Sequence, residues 1–144
     1  MKGKSQGERF VLGVDLDGVI ADFYRGFRPI VAAWFDRPLS SLSLTKFEFG
    51  LEAWGIKKYG PDEEERHDAY EKIHRFAVME RNLFSNLQPI MGAPKVLREL
   101  SDNNIRIRII THRLYMKYTH ETVIQQTVQW LARIIHERAR EGFL

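Results

Sequence analysis

The sequence predicts an α/β protein with a parallel sheet and a mostly helical insertion. Two short runs, Phe10–Val14 and Ile105–Ile110, are rich in the β-branched residues that are typical of strands. Each run ends directly in polar residues, at Asp15 and at Thr111, and segments with helical spacing lie between the two runs. Alternation of strands and helices is typical of a parallel sheet, which binds its ligands outside the carboxyl ends of the strands.

The first predicted strand leads into two carboxylates and a glycine, in the stretch FVLGVDLDGVIADF at residues 10–23. Its apolar composition predicts a strand that is buried on both faces. Asp15 and Asp17 would both stand near the carboxyl end of this strand, where paired carboxylates can hold a divalent cation. The alternative is that Asp15, Asp17 and Gly18 form only a turn, because Asp and Gly favour turns for local backbone reasons.

Helical spacing of apolar residues follows the aspartates. A stripe at spacings of three and four predicts a helix over residues 23–35. Pro29 lies within this stripe, and a proline inside a helix removes one backbone hydrogen bond. We therefore expect a break or bend near Arg28, or a helix that begins there.

Aromatic side chains without a clear period fill residues 39–60, where glycines interrupt them. Phe47, Phe49 and Trp54 either complete a small core or line the mouth of a site, where they would stack on a base. Both interpretations stay open at this point.

A second helix is predicted from Pro61 to about Met79, because proline and acidic residues favour the first turn of a helix. His67 and His74 lie seven residues apart on this helix. Histidines at that spacing are more often structural or exposed than metal ligands.

The chain returns to the sheet through residues 83–100, in which Pro89 and Gly92 mark a loop and Pro94 suits the first turn of a helix. In the second predicted strand isoleucines alternate with arginines, so one of its faces should be less covered. Thr111, His112 and Arg113 follow this strand directly, and a long helix is predicted from residue 119 to about 141.

Composition limits the classes of function. The 144 residues suit one domain, and the absence of cysteine excludes disulfides and zinc sites with cysteine ligands. No stretch reads as a transmembrane helix or signal peptide, so we expect a soluble, cytoplasmic protein with no membrane partner. A net charge of +3 with scattered basic residues favours a small anionic ligand over a nucleic-acid polymer.

The stretch DLDGVIADF resembles the first motif of the haloacid dehalogenase superfamily, and more narrowly that of the 5'(3')-deoxyribonucleotidases. Residues 87–93 match the motif Leu-x-Pro-x-x-Gly-Ala, which in that family leads the chain from the helical cap back to the core. The strand before Thr111 resembles the second motif of the family. These motifs occur in the order and spacing of the family. The resemblance implies a Rossmann-like core at residues 1–22 and 87–144, with a small helical cap at 23–86.

The resemblance also implies a reaction. Asp15 would be the nucleophile that forms an aspartyl-phosphate, and Asp17 would be the general acid and base. Thr111 would hold a phosphoryl oxygen. The cofactor would be Mg²⁺, bound by the Asp15 carboxylate and the Asp17 backbone carbonyl.

The implied substrate is a nucleoside 5'-monophosphate, with a deoxy pyrimidine nucleotide expected. Phe23 matches a family phenylalanine that contacts the base. Gly18, His112 and Arg113 are the other expected substrate-binding residues, because they flank the two motifs.

The family pattern continues with a lysine on a third loop and an acidic pair on a fourth, and neither has a matching position here. The chain therefore looks truncated after the second motif, and we expect weak metal binding and impaired turnover. Two recognisable strands leave an exposed sheet edge, so we also expect a homo-oligomer.

Three functions remain open. The first is a Mg²⁺-dependent phosphatase for nucleoside 5'-monophosphates, which phosphate release from a nucleotide would distinguish. The second is a phosphatase for another small phosphate ester, differing only in the cap. The third is a non-catalytic remnant that binds a ligand or a partner, which metal binding without turnover would indicate.

Overall fold

The computed structural model describes residues 10–43, 51–54, 56, 63–115 and 120–140. Within these ranges the elements are strands β1 and β2 and helices α1 to α5. In chain order they are β1 (Val11–Val14), α1 (Phe23–Trp34), α2 (Glu63–Arg81), α3 (Leu83–Asn86), α4 (Ala93–Asp102), β2 (Arg106–Ile109) and α5 (His120–Arg140). Short 3₁₀ turns lie at Leu39–Ser41, Leu51–Trp54 and His112–Tyr115. The predicted mixture of helices and strands is confirmed.

Strands β1 and β2 form a parallel pair, as predicted. Val11 pairs with Arg106 and Val14 with Ile109, so both strands end at the same edge of the sheet. The N–H of Ile110 donates to the Val14 carbonyl at 2.9 Å and continues the pairing past the end of β2. The larger Rossmann-like core and its division from a cap stay predictions.

The expectation that β1 is buried on both faces is wrong. Val11 is 42% exposed, and Gly13, on the same face of the strand, is exposed as well. The Ile110 side chain lies over Gly13, since a Cβ added there would meet Ile110 Cδ1 at 2.5 Å. Leu12 and Val14, on the other face, are half-buried. Among the described residues, only one face of the sheet is therefore covered.

Helix α1 is continuous although Pro29 lies inside it, so the expected break near residue 28 is wrong. Pro29 is on the exposed face of the helix, where water can satisfy the carbonyl that loses its partner. Phe27 and Val31 are fully buried on the opposite face. This burial holds the helix together across the proline.

The other predicted helices are present with small differences. α2 begins at Glu63, shortly after Pro61, and α4 carries Pro94 in its first turn. Val96 of α4 is 52% exposed, so it does not belong to the buried face of this helix. The short helix α3 was not predicted. Among the described helices, none combines the length and the apolar composition needed to cross a membrane.

The core lies largely among the helices, and α5 joins it to the return segment. The largest fully buried side chains are Trp130, Phe27, Phe84, Leu16, Leu42, Ile73, Leu87, Val31, Val78 and Val123. Trp130 Nε1 donates to the Leu87 carbonyl at 2.7 Å, and Arg133 Nη2 donates to the same oxygen at 2.6 Å. Trp130, which is 1% exposed, therefore anchors α5 in the core.

Candidate active site

A tight loop carries the two aspartates from the end of β1 to the start of α1. The Leu16 carbonyl accepts N–H groups from Val19, Ile20 and Ala21, at 3.3, 2.9 and 2.8 Å. Gly18 has a φ of +78°, in the left-handed region that glycine adopts without steric cost. Gly18 is exposed. The sequence motif therefore does form a turn, and this turn determines where the two carboxylates lie.

The return segment holds this loop in place. The Asp22 N–H donates to the Gln88 carbonyl at 2.8 Å, and the Ile90 N–H donates to the Ile20 carbonyl at 2.7 Å. Asp22 also caps α1, because its side chain accepts the N–H of Arg25 at 3.3 Å. Residues 87–93, which match the family motif Leu-x-Pro-x-x-Gly-Ala, thus lie directly against the loop that carries the aspartates.

Asp15 and Thr111 lie at the same edge of the sheet, each just beyond the end of its strand. Asp15 is exposed, and its Oδ1 accepts the N–H of Leu16 at 2.7 Å. Thr111 is half-buried, and its Oγ1 accepts the N–H of Arg113 at 3.2 Å. The parallel pairing of β1 and β2 therefore puts both predicted site residues beyond the same end of the sheet.

Asp17 is bound by Arg113. Arg113 Nε donates to Oδ2 at 2.8 Å, and Nη2 donates to Oδ1 at 2.5 Å, so the guanidinium occupies both carboxylate oxygens. The Arg113 side chain is 1% exposed and that of Asp17 is 27% exposed. Arg113, expected to bind substrate, is thus turned inward, while His112 stays exposed in the 3₁₀ turn.

Two further side chains fix the Arg113 guanidinium. Its Nη1 donates to Thr127 Oγ1 of α5 at 3.2 Å, and its Cζ lies 4.0 Å from the centre of the Phe84 ring of α3. A buried arginine needs such partners because an unpaired buried charge is costly. The contact with Phe84 adds a cation–π attraction. Neither partner could be identified from the pattern of the sequence, which indicates only that both residues lie on helices.

His74 of α2 lies in an aromatic cluster near this ion pair. It is 5% exposed, and its ring stacks on Phe23 and Tyr70 with centres 5.8 and 5.7 Å apart. Burial lowers the pKa of His74 to about 4, while Asp17 raises it and Arg113 lowers it further. The imidazole is therefore neutral at pH 7.

The aromatic residues proposed for base contact are mostly enclosed. Phe23 is 8% exposed, and Trp54 is 6% exposed, with its Nε1 donating to the Ser43 carbonyl at 2.9 Å. The core interpretation of Trp54 is therefore confirmed. Phe47 and Phe49 lie outside the described residues.

The donor atoms suit a hard cation with few protein ligands. Asp15 offers an exposed carboxylate, whereas both side-chain oxygens of Asp17 accept hydrogen bonds from Arg113. Among the described residues, no hydrogen bond uses the backbone carbonyl of Asp17. Mg²⁺ commonly binds through one or two protein oxygens and completes its shell with water and phosphate oxygens. The described ranges contain no group of three His, Asp or Glu side chains arranged for a metal.

Comparison with known proteins gives the family. The family model described as "5' nucleotidase, deoxy (Pyrimidine), cytosolic type C protein" matches residues 9–140. A curated protein of Chlorobaculum tepidum, named "Putative 5'(3')-deoxyribonucleotidase", is 51% identical over 121 residues, which cover 84% of this chain and 55% of that protein. The chain thus spans about half the length of the curated relative that it matches. The motifs at Asp15 and Thr111 lie within a match of nearly the whole chain, which therefore belongs to the family of cytosolic type C 5'-nucleotidases.

Proposed function

We propose that this chain carries the phosphoryl site of a phosphatase for nucleoside 5'-monophosphates. One arrangement supports the proposal above all: Asp15 and Thr111 end paired parallel strands at one edge of the sheet. Family membership and the name of the relative supply the nucleotide as the substrate class.

Asp15 is the proposed nucleophile. Its carboxylate is exposed at the end of β1, where a phosphoryl group can approach it. Attack on phosphorus forms an aspartyl-phosphate and breaks the bond to the sugar oxygen, which leaves with a proton. Water then cleaves the aspartyl-phosphate, releases inorganic phosphate and restores the carboxylate.

Thr111 is proposed to hold a phosphoryl oxygen. Its oxygen already accepts the N–H of Arg113, and no acceptor for its hydroxyl proton occurs in the part of the chain that is described. The hydroxyl can therefore donate to an anionic oxygen, which charge makes the stronger acceptor.

Mg²⁺ is the proposed cofactor, held by the Asp15 carboxylate and the Asp17 backbone carbonyl. When bound, it supplies positive charge that lets an anionic carboxylate approach an anionic phosphoryl group. The hard oxygen donors named above support this choice of metal.

Asp17 is proposed as the general acid and base, with Arg113 as the residue that positions it. Arg113 donates one hydrogen bond to each carboxylate oxygen, and each oxygen keeps a second lone pair that can take a proton. The ion pair therefore keeps the group in place in the absence of a substrate. This assigns Arg113 an indirect role instead of the substrate contact inferred from the sequence.

A phosphatase for another small ester is the second candidate. The enclosure of Phe23 and Trp54 favours it, since these side chains offer little surface on which a base can stack. A panel of phosphate esters with Mg²⁺ separates the two candidates. Faster phosphate release from deoxynucleotides than from sugar phosphates supports a nucleotidase, and the opposite order overturns that choice.

We also propose a cytoplasmic, self-associating protein. The family description includes the word cytosolic. Within the described residues, each of the two strands has one edge without a neighbour, and such edges favour pairing with another strand. The mass in solution tests this, and a monomer at assay concentrations would contradict it.

A further inference from the structure

The Arg113 guanidinium determines how the Asp17 carboxylate is oriented. Among the described residues, the hydrogen bonds to the Asp17 side chain come from Arg113 alone, one to each oxygen. The Arg113 side chain is 1% exposed, so bulk water has little access to it. The position of the guanidinium therefore sets the position of the carboxylate.

Two helices hold this guanidinium from the side away from Asp17. Helix α5 supplies the buried Thr127, whose Oγ1 accepts a hydrogen bond from Arg113 Nη1 at 3.2 Å. Helix α3 supplies the buried Phe84, whose ring centre lies 4.0 Å from the Arg113 Cζ. A hydrogen bond fixes the direction of one nitrogen, and the ring contact fixes the plane over which the guanidinium lies. Together they restrict its orientation.

Gln126, the neighbour of Thr127 on α5, fixes Phe84 in turn. Its Oε1 accepts the Phe84 N–H at 3.1 Å, and its Nε2 donates to the Val78 carbonyl of α2 at 2.7 Å. Gln126 is buried, so these bonds are shielded from water. Adjacent residues of α5 therefore reach the guanidinium by two routes, one through Thr127 and one through Phe84.

Proton transfer requires the donor to lie within hydrogen-bond reach of the atom that receives the proton. In the proposed function, on which this inference rests, an oxygen of Asp15 bonds to phosphorus while the bond from phosphorus to the sugar oxygen breaks. The Asp17 carboxyl gives its proton to that oxygen, so the sugar leaves as an alcohol and Asp17 becomes a carboxylate. A misplacement of about 1 Å can cost on the order of 100-fold in rate.

We infer that Thr127 and Phe84 are positioning residues for this proton transfer. They act through Arg113, because they hold the guanidinium in the orientation from which it directs Asp17 to the leaving oxygen. Neither has to touch the substrate to do so. The inference extends the site to α3 and α5, which hold none of the site residues predicted from the sequence.

The test compares two esters whose leaving groups differ in their need for a proton. The sugar oxygen of thymidine 5'-monophosphate needs one as it leaves, whereas p-nitrophenolate leaves as a stable anion. The kcat/KM with Mg²⁺ is measured for both esters, because it reports the steps up to departure of the first product. Thr127→Val removes the acceptor for Arg113 and keeps the side-chain shape. It should lower kcat/KM about three- to tenfold for the nucleotide and about twofold or less for p-nitrophenyl phosphate.

Three variants serve as controls for the ratio of the two kcat/KM values, nucleotide over p-nitrophenyl phosphate. Thr127→Ser retains the hydroxyl and should restore the ratio. Trp130→Phe lies on the same helix and should lower stability without changing the ratio, because its hydrogen bond goes to the Leu87 carbonyl. Asp17→Asn sets the scale, since loss of a general acid should lower the ratio about 100-fold or more.

The outcomes separate this inference from the proposed function. Equal losses for both esters in Thr127→Val, or no recovery in Thr127→Ser, overturn the positioning role and leave the nucleotidase proposal intact. If Thr127→Val does not fold, Phe84→Leu takes its place, since it removes the ring beside the guanidinium; an unchanged ratio then overturns the inference. Release by the unsubstituted protein from neither ester, or from p-nitrophenyl phosphate alone, overturns both proposals.

Discussion

Asp17 and Arg113 form a two-point ion pair, with Nε 2.8 Å from Oδ2 and Nη2 2.5 Å from Oδ1. The two residues are 96 positions apart in the chain. Asp17 belongs to the loop after β1, and Arg113 to the turn after β2. The pair therefore joins the two motifs of the candidate site across the sheet edge.

Removing either partner should destabilise the protein. Asp17→Asn leaves the charge of Arg113 buried without a carboxylate, and breaking a buried pair in this way costs about 3–5 kcal/mol. In the double variant Asp17→Asn/Arg113→Met, the loss of unfolding free energy should be smaller than the sum of the losses in the two single variants, by about 1–3 kcal/mol. Urea unfolding of the four proteins measures this coupling.

The matched control is the pair of Arg98 and Asp102 on α4. Its atoms are 3.4 Å apart, but its side chains are 54% and 64% exposed. Coupling there should be about 0.5 kcal/mol or less. Equal coupling for the two pairs would mean that burial of Arg113 contributes nothing.

Stability should depend on pH through His74. Its pKa is about 4 in the folded protein and 6.5 when unperturbed, so the unfolded chain binds more protons between these values. The free energy of unfolding should therefore be fully developed above pH 6.5 and fall as the pH drops towards 4. The loss from this group should amount to roughly 3 kcal/mol at most.

The variant His74→Phe should lack this part of the pH dependence. His120→Asn serves as the control, because His120 is exposed at the start of α5. Plots of the free energy of unfolding against pH, from pH 4 to pH 7, should be parallel for the His120 variant and the unsubstituted protein. If the plot for His74→Phe has the same slope, His74 is not the source of the pH dependence.

The strand pair could be predicted because its signals are local. The composition of the two runs and the polar residues that end them located both strands, with Asp15 and Thr111 just beyond their ends. The partner of Asp17 could not be predicted, since no periodicity shows that Arg113 turns inward from an exposed-looking turn. Coverage of β1 was overestimated, because the composition of Val11 and its neighbours does not reveal which faces have a helix against them.

The hydrogen bond from Trp130 to the Leu87 carbonyl should stabilise the folded protein. Trp130→Phe removes the donor to the Leu87 carbonyl and leaves a small cavity, which should cost about 1–3 kcal/mol. Val128→Ala on the same helix is the control, because Val128 is 59% exposed. Its cost should stay within about 0.5 kcal/mol. Thermal or urea unfolding distinguishes the two, and equal effects would contradict the anchoring role.

Gly18 should be required for its backbone conformation alone. Its φ is +78°, and no atom lies within 4 Å of an added Cβ. Gly18→Ala should therefore cost about 1–2 kcal/mol through strain. Gly18→Asn should cost less, because asparagine tolerates the left-handed region. Equal losses for the two variants in urea unfolding would point to a steric cause instead.

Asp15 should act as the nucleophile of a phosphate-ester site. The most direct measurement compares Mg²⁺-dependent phosphate release from thymidine 5'-monophosphate by this chain and by Asp15→Asn, with the mass in solution recorded. Asp15 is exposed, and among the described residues its side chain accepts one hydrogen bond, from the backbone N–H of Leu16, so the variant should fold normally. The Asp15 protein should release phosphate, however slowly, and the folded variant should release none. Equal release from both proteins would rule out Asp15 as the nucleophile.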